Sequence, residues 1–361
     1  MKQIAESTFM TIVERLRKSD DFINFQQKTQ EKIDKFKLTP QFKPSVTKGE
    51  KKKSETYEVG RLNDARDTKY QMILANLSNT EDLMFLSPSD LYKRANDIKL
   101  LALSESDPID VGFSNKLQNL LDYKTLRSGN KKLLYRFYKK LGVKCCVYCN
   151  SQHVILLDDE QKTMRFQADH YIPKSKFPIF SITLANLVPV CNNCNHLKST
   201  KELNYVLYYN DTEGEHHDLG FSLTHQSIVE YCMNRNSDNA ENHLEIVFKD
   251  YYEKDANNSS RLNEVLKIDK IYEQHQDVVA DLINKKIVYN ESYLESLGKE
   301  FSKLFKREDE SINHHLFNQM LYGHSLDEEH INKRVFSKLT IDVKKQLDTL
   351  DLKKYITGSD H

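Results

Sequence analysis

Cys146-Val-Tyr-Cys149 and Cys191-Asn-Asn-Cys194-Asn-His-Leu-Lys198 bracket the stretch on which the reading of this chain turns. Between them lie Ala168-Asp169-His170-Tyr-Ile-Pro173 and Ala185-Asn186-Leu-Val-Pro189. Two C-x-x-C pairs offer four thiolates for one tetrahedral zinc, because each pair closes a tight loop on one edge of the metal. Four thiolates complete the shell, so such an ion is a scaffold with no open position for substrate. The 41 residues separating Cys149 from Cys191 exceed the spacer of a simple finger or ribbon. The Asp169-His170 pair is the obvious occupant of that space.

Phosphodiester hydrolysis needs an activated water, a cation on the phosphate oxygens and a means of holding the phosphate. An imidazole titrating near neutrality suits His170 to take a proton from water. A hard carboxylate suits Asp169 to hold magnesium or manganese. Neighbours on a strand point to opposite faces, so the two can flank one phosphate only if the strand ends or twists there. Pro173 favours an end. The cysteines alone would read as a structural zinc, and Asp169-His170 alone as a surface pair.

Taken in order, C-x-x-C, Asp-His-x-x-Pro, Asn-Leu-x-Pro and C-x-x-C-Asn-x-x-Lys resemble the zinc-bearing HNH endonucleases. The resemblance covers roughly residues 143–203. It implies a β-hairpin followed by a helix, gripping one catalytic divalent ion beside the structural zinc on Cys146, Cys149, Cys191 and Cys194. By the same resemblance His170 is the general base, Asp169 a ligand of catalytic magnesium or manganese, and Asn186 the brace that orients the histidine. Asn195 falls where the second metal ligand belongs. Many members carry histidine at that position, and here His196 follows one residue later. Helix neighbours point about 100° apart, so only one of the two can serve, and the offset from Cys194 favours Asn195. Lys198, a turn further on, is expected on a phosphate.

The 361 residues carry no formal net charge, but residues 1–145 hold 28 Lys and Arg against 19 Asp and Glu, and residues 201–361 hold 20 against 30. A basic front and an acidic rear point to polyanion contact on one side and a partner or plain solubility on the other. Six cysteines, four in metal spacing, argue for a reducing compartment. With no membrane-length apolar run and no apolar N-terminal segment, a cytoplasmic location is expected. No G-x-x-x-x-G-K occurs, so any nucleotide hydrolysis in the pathway falls to a separate ATPase or sensor protein.

The apolar spacing predicts helix over 5–37, 60–76 and from Ser87 through Leu101. The proline-broken, lysine-rich residues 38–58 read as a linker or mobile arm, with Lys51-Lys52-Lys53 available to a polyanion. Residues 124–144 hold eight Lys or Arg and no acid. They predict a basic amphipathic helix, capped by Ser128 or Asn130 and ended by Gly142, that feeds the zinc site. Lys131, Lys132, Arg136, Lys139 and Lys140 on it, with Lys174 and Lys176 beside His170 and Lys198, are the candidate nucleic-acid contacts. Within the core, strands are expected at 154–157, 163–168 and 187–190, and a helix at 192–202. Beyond residue 205, strands are expected at 205–209 and 244–248, and helices at 261–290, 293–306, 317–321 and 336–347. His216-His217 and His314-His315 lack suitably spaced acids and read as ordinary histidines.

The expected architecture is α+β and mainly α. Residues 1–122 form a helical region, 123–204 a basic helix plus the ββα-metal core, and 205–361 a mainly helical acidic region. The expected function is metal-dependent hydrolysis of DNA, double-stranded above all, with little sequence preference because backbone contacts carry little base information. The setting implied by the resemblance is a bacterial anti-phage defence system. The competing readings are a catalytically inactive zinc-dependent nucleic-acid-binding or assembly module, and an RNase or nickase on the same core.

Overall fold

The computed structural model describes the chain apart from residues 1–3, 46–54, 63, 78, 205–206, 210–216, 253–260, 290, 303–313, 324–325 and 358–361. Lys51–Lys53 and His216 therefore lie outside the described residues, as do the side chains of His217, His314 and His315. The chain divides into two compact units, one of residues 3–143 and 154–215, the other of 1–2, 144–153 and 216–361. The sequence-based boundaries at 122 and 204 do not coincide with this division.

The first unit is helical around a small β-core. The expected helix over 5–37 is two helices, α1 (Glu6–Arg17) and α2 (Asp20–Leu38). Ser19 breaks them with extended backbone, and the Arg136 guanidinium holds its hydroxyl at 2.9 Å and the Asp21 carboxylate at 2.7 Å. Phe9, Val13 and Leu16 on α1 are buried, Phe9 against Phe137 and Tyr208. Strand β1 (Ile4–Ala5) pairs in parallel with Tyr208–Tyr209.

The arm expected at 38–58 is ordered at both ends, where β2 (Gln41–Phe42) pairs with β3 (Tyr57–Glu58). Phe42 packs on Tyr57, Tyr70 and Phe113, an aromatic cluster that the polar composition of the arm hid. Helix α3 (Ala65–Asn76) starts at the Asp64 cap, not at residue 60. Short α4 (Thr80–Met84) leads to α5 (Pro88–Asp97), which is capped by the Ser87 hydroxyl and ends before the expected Leu101. Helix α6 (Pro108–Leu120), opened by the Asp107 cap, was not anticipated. A Cβ at Gly112 would stand 2.2 Å from the Lys43 carbonyl oxygen, so only glycine admits the arm there.

The single basic helix expected over 124–144 is α7 (Tyr123–Ser128) and α8 (Leu133–Leu141), split by Gly129 and by Lys132 in the left-handed region. Gly142 ends α8 at positive φ, as expected, whereas neither Ser128 nor Asn130 caps its start. Strands β4 (Ile155–Leu157) and β5 (Thr163–Arg165) form one hairpin. Strands β6 (Gln167–His170) and β7 (Leu187–Val190) form the next, with Asp169 opposite Val188 and His170 opposite Leu187. Helix α9 (Asn192–Lys198) follows at once, shorter than expected.

In the second unit, β-strands His217–Leu223 and Ile246–Tyr252 pair antiparallel over seven residues. The helix Ser337–Asp348 packs on the first of these, its Asp342 and Gln346 side chains accepting from the Phe221 and Leu223 N–H groups. The helix expected over 261–290 is broken at Lys267, which sits at positive φ, and at Gln274–His275, leaving Leu262–Leu266, Ile268–Tyr272 and Gln276–Val288. The loop bearing the first cysteine pair belongs to this unit by its bonds. Asn150 donates to the Ile331 carbonyl at 3.0 Å and accepts from the Lys338 N–H at 3.1 Å. The Tyr272 hydroxyl donates to the Cys149 carbonyl at 2.7 Å.

Candidate active site

The four cysteine sulfurs of Cys146, Cys149, Cys191 and Cys194 lie within 4.8 Å of one another and are all buried. Sulfurs bound to one tetrahedral zinc stand about 3.8 Å apart, given metal–sulfur bonds near 2.3 Å, and no disulfide competes for them. Local backbone prepares each pair. Asn150 takes a positive φ so that its N–H reaches the Cys146 carbonyl at 2.8 Å. Cys191 caps α9 and its Sγ accepts from the Cys194 N–H at 3.4 Å. The donor set fits structural zinc, with no ligand left to bind substrate. Cys145 stays apart, its Sγ on Asn150 and the Ile331 carbonyl, and burial pushes its thiol up to about 12.

Strand β6 ends at His170, as Pro173 favoured. The His170 ring is buried, and its Nε2 lies 2.9 Å from the Ser181 carbonyl oxygen. A carbonyl only accepts, so Nε2 carries the hydrogen and Nδ1 is left as the acceptor. Burial, then the nearby Lys174 charge, draws the imidazole down to about 3, which keeps the ring neutral.

Asn186 is fully buried and clamps the segment that follows the histidine. Its Oδ1 accepts from the Ile172 N–H at 2.7 Å, and its Nδ2 donates to the Ile172 and Phe180 carbonyls at 3.0 and 3.1 Å. Phe180 precedes Ser181, so the same amide fixes the chain that orients the imidazole.

Asp169 is 5 % exposed, and its Oδ2 lies 3.0 Å from the Lys198 ammonium. Lys198, expected on a phosphate, is fully buried and also donates to the His170 carbonyl at 2.9 Å. Its position four residues past Cys194, itself buried, turns it inward on α9; the sequence spacing was right and the exposure was not. Asn195 is half-buried on the flank of that inward face, and His196 is exposed. The Asp169 carboxylate and the Asn195 amide are hard oxygen donors, a set that fits magnesium or manganese, which complete their shells with water and phosphate oxygens.

The expected polyanion contacts divide. Lys131 and Arg136 are engaged with Asp21, and Lys139 with Asp158. Tyr135 and Tyr138, between these bases on α8, are buried. Lys132 and Lys176 are half-buried and Lys140 is exposed. Lys174 is half-buried beside the histidine, its ammonium 4.4 Å above the Tyr123 ring. The Tyr123 ring in turn meets the His170 ring edge-on at 4.7 Å, and Arg127 donates to Gln167 at 3.2 Å. Tyr123 drew no attention in the sequence, and Arg127 was only one base among eight. Their four-residue spacing was the available signal.

A hairpin and helix beside a four-cysteine cluster fit for zinc, with Asp169-His170 at the strand end and the clamped Asn186 behind it, form the small ββα core of the first unit. Residues 146–201 match the family model of the HNH endonuclease, and that segment is an HNH endonuclease domain. Over 88 residues the chain is 37 % identical to the Septu protein PtuB of Bacillus thuringiensis, an alignment covering 24 % of this chain and 30 % of that protein. The match thus spans under a third of that relative's length. No solved structure matches the chain. Among the described residues, no helix is long and apolar enough to cross a membrane.

Proposed function

We propose that the protein is a metal-dependent endonuclease that cleaves DNA with little sequence preference, as the effector of a bacterial anti-phage defence system. The observation that carries the reading is His170, held by the Ser181 carbonyl with Nδ1 free, next to Asp169 at the end of an HNH-domain strand. His170 Nδ1 removes a proton from the attacking water. Asn186 keeps the segment after the strand in place, so the imidazole does not swing. Lys198 balances the buried Asp169 carboxylate and fixes the His170 backbone. Asp169 and Asn195 would hold the magnesium or manganese ion, which supplies positive charge for the phosphate and the departing 3′ oxygen. Lys132, Lys140, Lys174 and Lys176 supply backbone contacts, which carry charge but no base code.

The defence setting rests on the likeness to the Septu protein and on the missing phosphate-binding loop, which leaves nucleotide sensing to a separate ATPase or sensor protein. The acidic C-terminal region is the docking face for it, and the cytoplasm is the compartment that keeps cysteines out of disulfides.

The full chain incubated with supercoiled plasmid, linear duplex and single-stranded RNA, with and without magnesium or manganese, tests the reading. Nicked and linear DNA are expected only with the ion. Cleavage of RNA alone would favour the ribonuclease alternative. Silence on every substrate, with or without a co-expressed ATPase, would favour the inactive zinc module.

A further inference from the structure

Arg127 and Lys174 are the long cations beside the histidine that no carboxylate neutralises among the described residues. The nearby acid, Asp169, is already paired with the fully buried Lys198. A half-buried cation without a counter-ion is costly unless an anion arrives to pair with it. Both converge on one imidazole: the Lys174 ammonium lies over the Tyr123 ring that meets His170, and Arg127 bonds Gln167 on the strand that ends at His170.

The geometry is built, not incidental. The Asp122 carboxylate at the start of α7 is tied to Lys32 at 2.6 Å. Tyr123 and Arg127, four residues apart, share one face of that helix. The Tyr123 and His170 rings meet in a T-shaped contact, and the Tyr123 ring carries the Lys174 ammonium over it, contacts that an aromatic quadrupole favours. Arg127 reaches Gln167, which lies two residues before Asp169 on β6 and so on the same side of the strand. The Lys174 loop is tethered from α6 by the Ser114 hydroxyl to the Ser175 carbonyl at 2.8 Å and by the Gln118 amide to the Lys174 carbonyl at 3.3 Å. Both cations are thereby fixed before any substrate arrives, which cuts the ordering cost of binding.

We infer that Arg127 and Lys174 seat the phosphodiester that is attacked at His170, with Tyr123 as the positioning residue that holds Lys174 and the imidazole in register. Arg127 and Tyr123 lie outside residues 146–201, so the helix before the HNH segment completes its substrate site. The inference rests on the nuclease reading for its chemistry, but the binding it describes can be measured separately.

The test uses the full chain and two readouts. One is binding of a labelled DNA duplex across a salt series without added magnesium or manganese; the other is steady-state cleavage with the ion. Arg127→Gln and Lys174→Gln are each expected to raise KM about tenfold and to reduce the salt slope of binding by about one, the signature of one lost phosphate contact. Lys93→Gln makes the same charge change at an exposed position on α5 and is the control. Tyr123→Leu should raise KM as Lys174→Gln does, and Tyr123→Phe, which keeps the ring, should restore it. Arg127→Lys and Lys174→Arg should keep the salt slope, separating charge from folding. KM and slope indistinguishable from Lys93→Gln would overturn the inference. If the wild type cleaves nothing yet Arg127→Gln and Lys174→Gln still weaken duplex binding beyond the control, the phosphate seat stands and the nuclease reading falls.

Discussion

Two groups of cations lie in the same unit and differ in what surrounds them. On and just before α8, Lys131 and Arg136 face Asp21, and Lys139 faces Asp158. Beside β6, Arg127 and Lys174 face an aromatic ring, an amide and an imidazole, with no carboxylate partner among the described residues. The first group has the higher density of bases in the sequence, yet three of its charges are spent within the protein. A count of lysines and arginines therefore says little about where a phosphate sits. What matters is which cations the fold leaves without an acid, and that is a property of the folded chain.

The strongest way to break this contrast is at Lys198, the cation that belongs to neither group. Lys198→Ala takes the ammonium away from the buried Asp169 carboxylate, a change expected to cost about 3–5 kcal/mol, read as a large fall in melting temperature. Retained stability would mean that the pair is dispensable and that Lys198 is free to meet substrate after all. Stripping zinc with a chelator should be comparably severe, since the ion that would tie the two cysteine pairs together is lost. The expected stoichiometry is one zinc per chain by elemental analysis. A folded, zinc-free protein would remove the metal from the account.

Asn186→Ala comes next. It orphans the buried Ile172 N–H and two carbonyls that the amide now satisfies, a loss of about 1–3 kcal/mol for an unsatisfied buried group. Cleavage should fall further than stability alone explains, because the Phe180–Ser181 turn also orients His170. Equal losses in the two measurements would reduce Asn186 to a structural brace. At the small end, Arg136→Gln and Lys139→Gln should leave duplex affinity within about twofold, because these charges are already engaged with Asp21 and Asp158. A tenfold loss from either would restore α8 as the main contact surface.

The motif-bearing core was legible because paired C-x-x-C spacings are short and local, and Cys146, Cys149, Cys191 and Cys194 do come together. The strand expected at 163–168 is two strands, Thr163–Arg165 and Gln167–His170, a break that alternation alone does not mark. The flanks were less legible because periodicity reports an apolar face but not where it is interrupted. Ser19, Lys132 and Lys267 break expected helices through local backbone conformation and long-range partners. The Ser19 break is held by Arg136, 117 residues away, a distance no local pattern encodes. Lys198 misled for a related reason: its turn of the helix was readable, but the buried carboxylate awaiting it was not. Tyr123 went unnoticed since an aromatic residue in a basic stretch has no distinctive spacing until the fold sets it against His170.

The most direct test of the account is plasmid cleavage, in magnesium or manganese, by the wild type and by His170→Ala carrying equal zinc and an unchanged circular dichroism spectrum. Loss of a general base is expected to slow cleavage by about 10²–10⁴-fold while duplex binding persists. Equal rates from the two proteins would contradict the assignment of His170 and with it the active site described above.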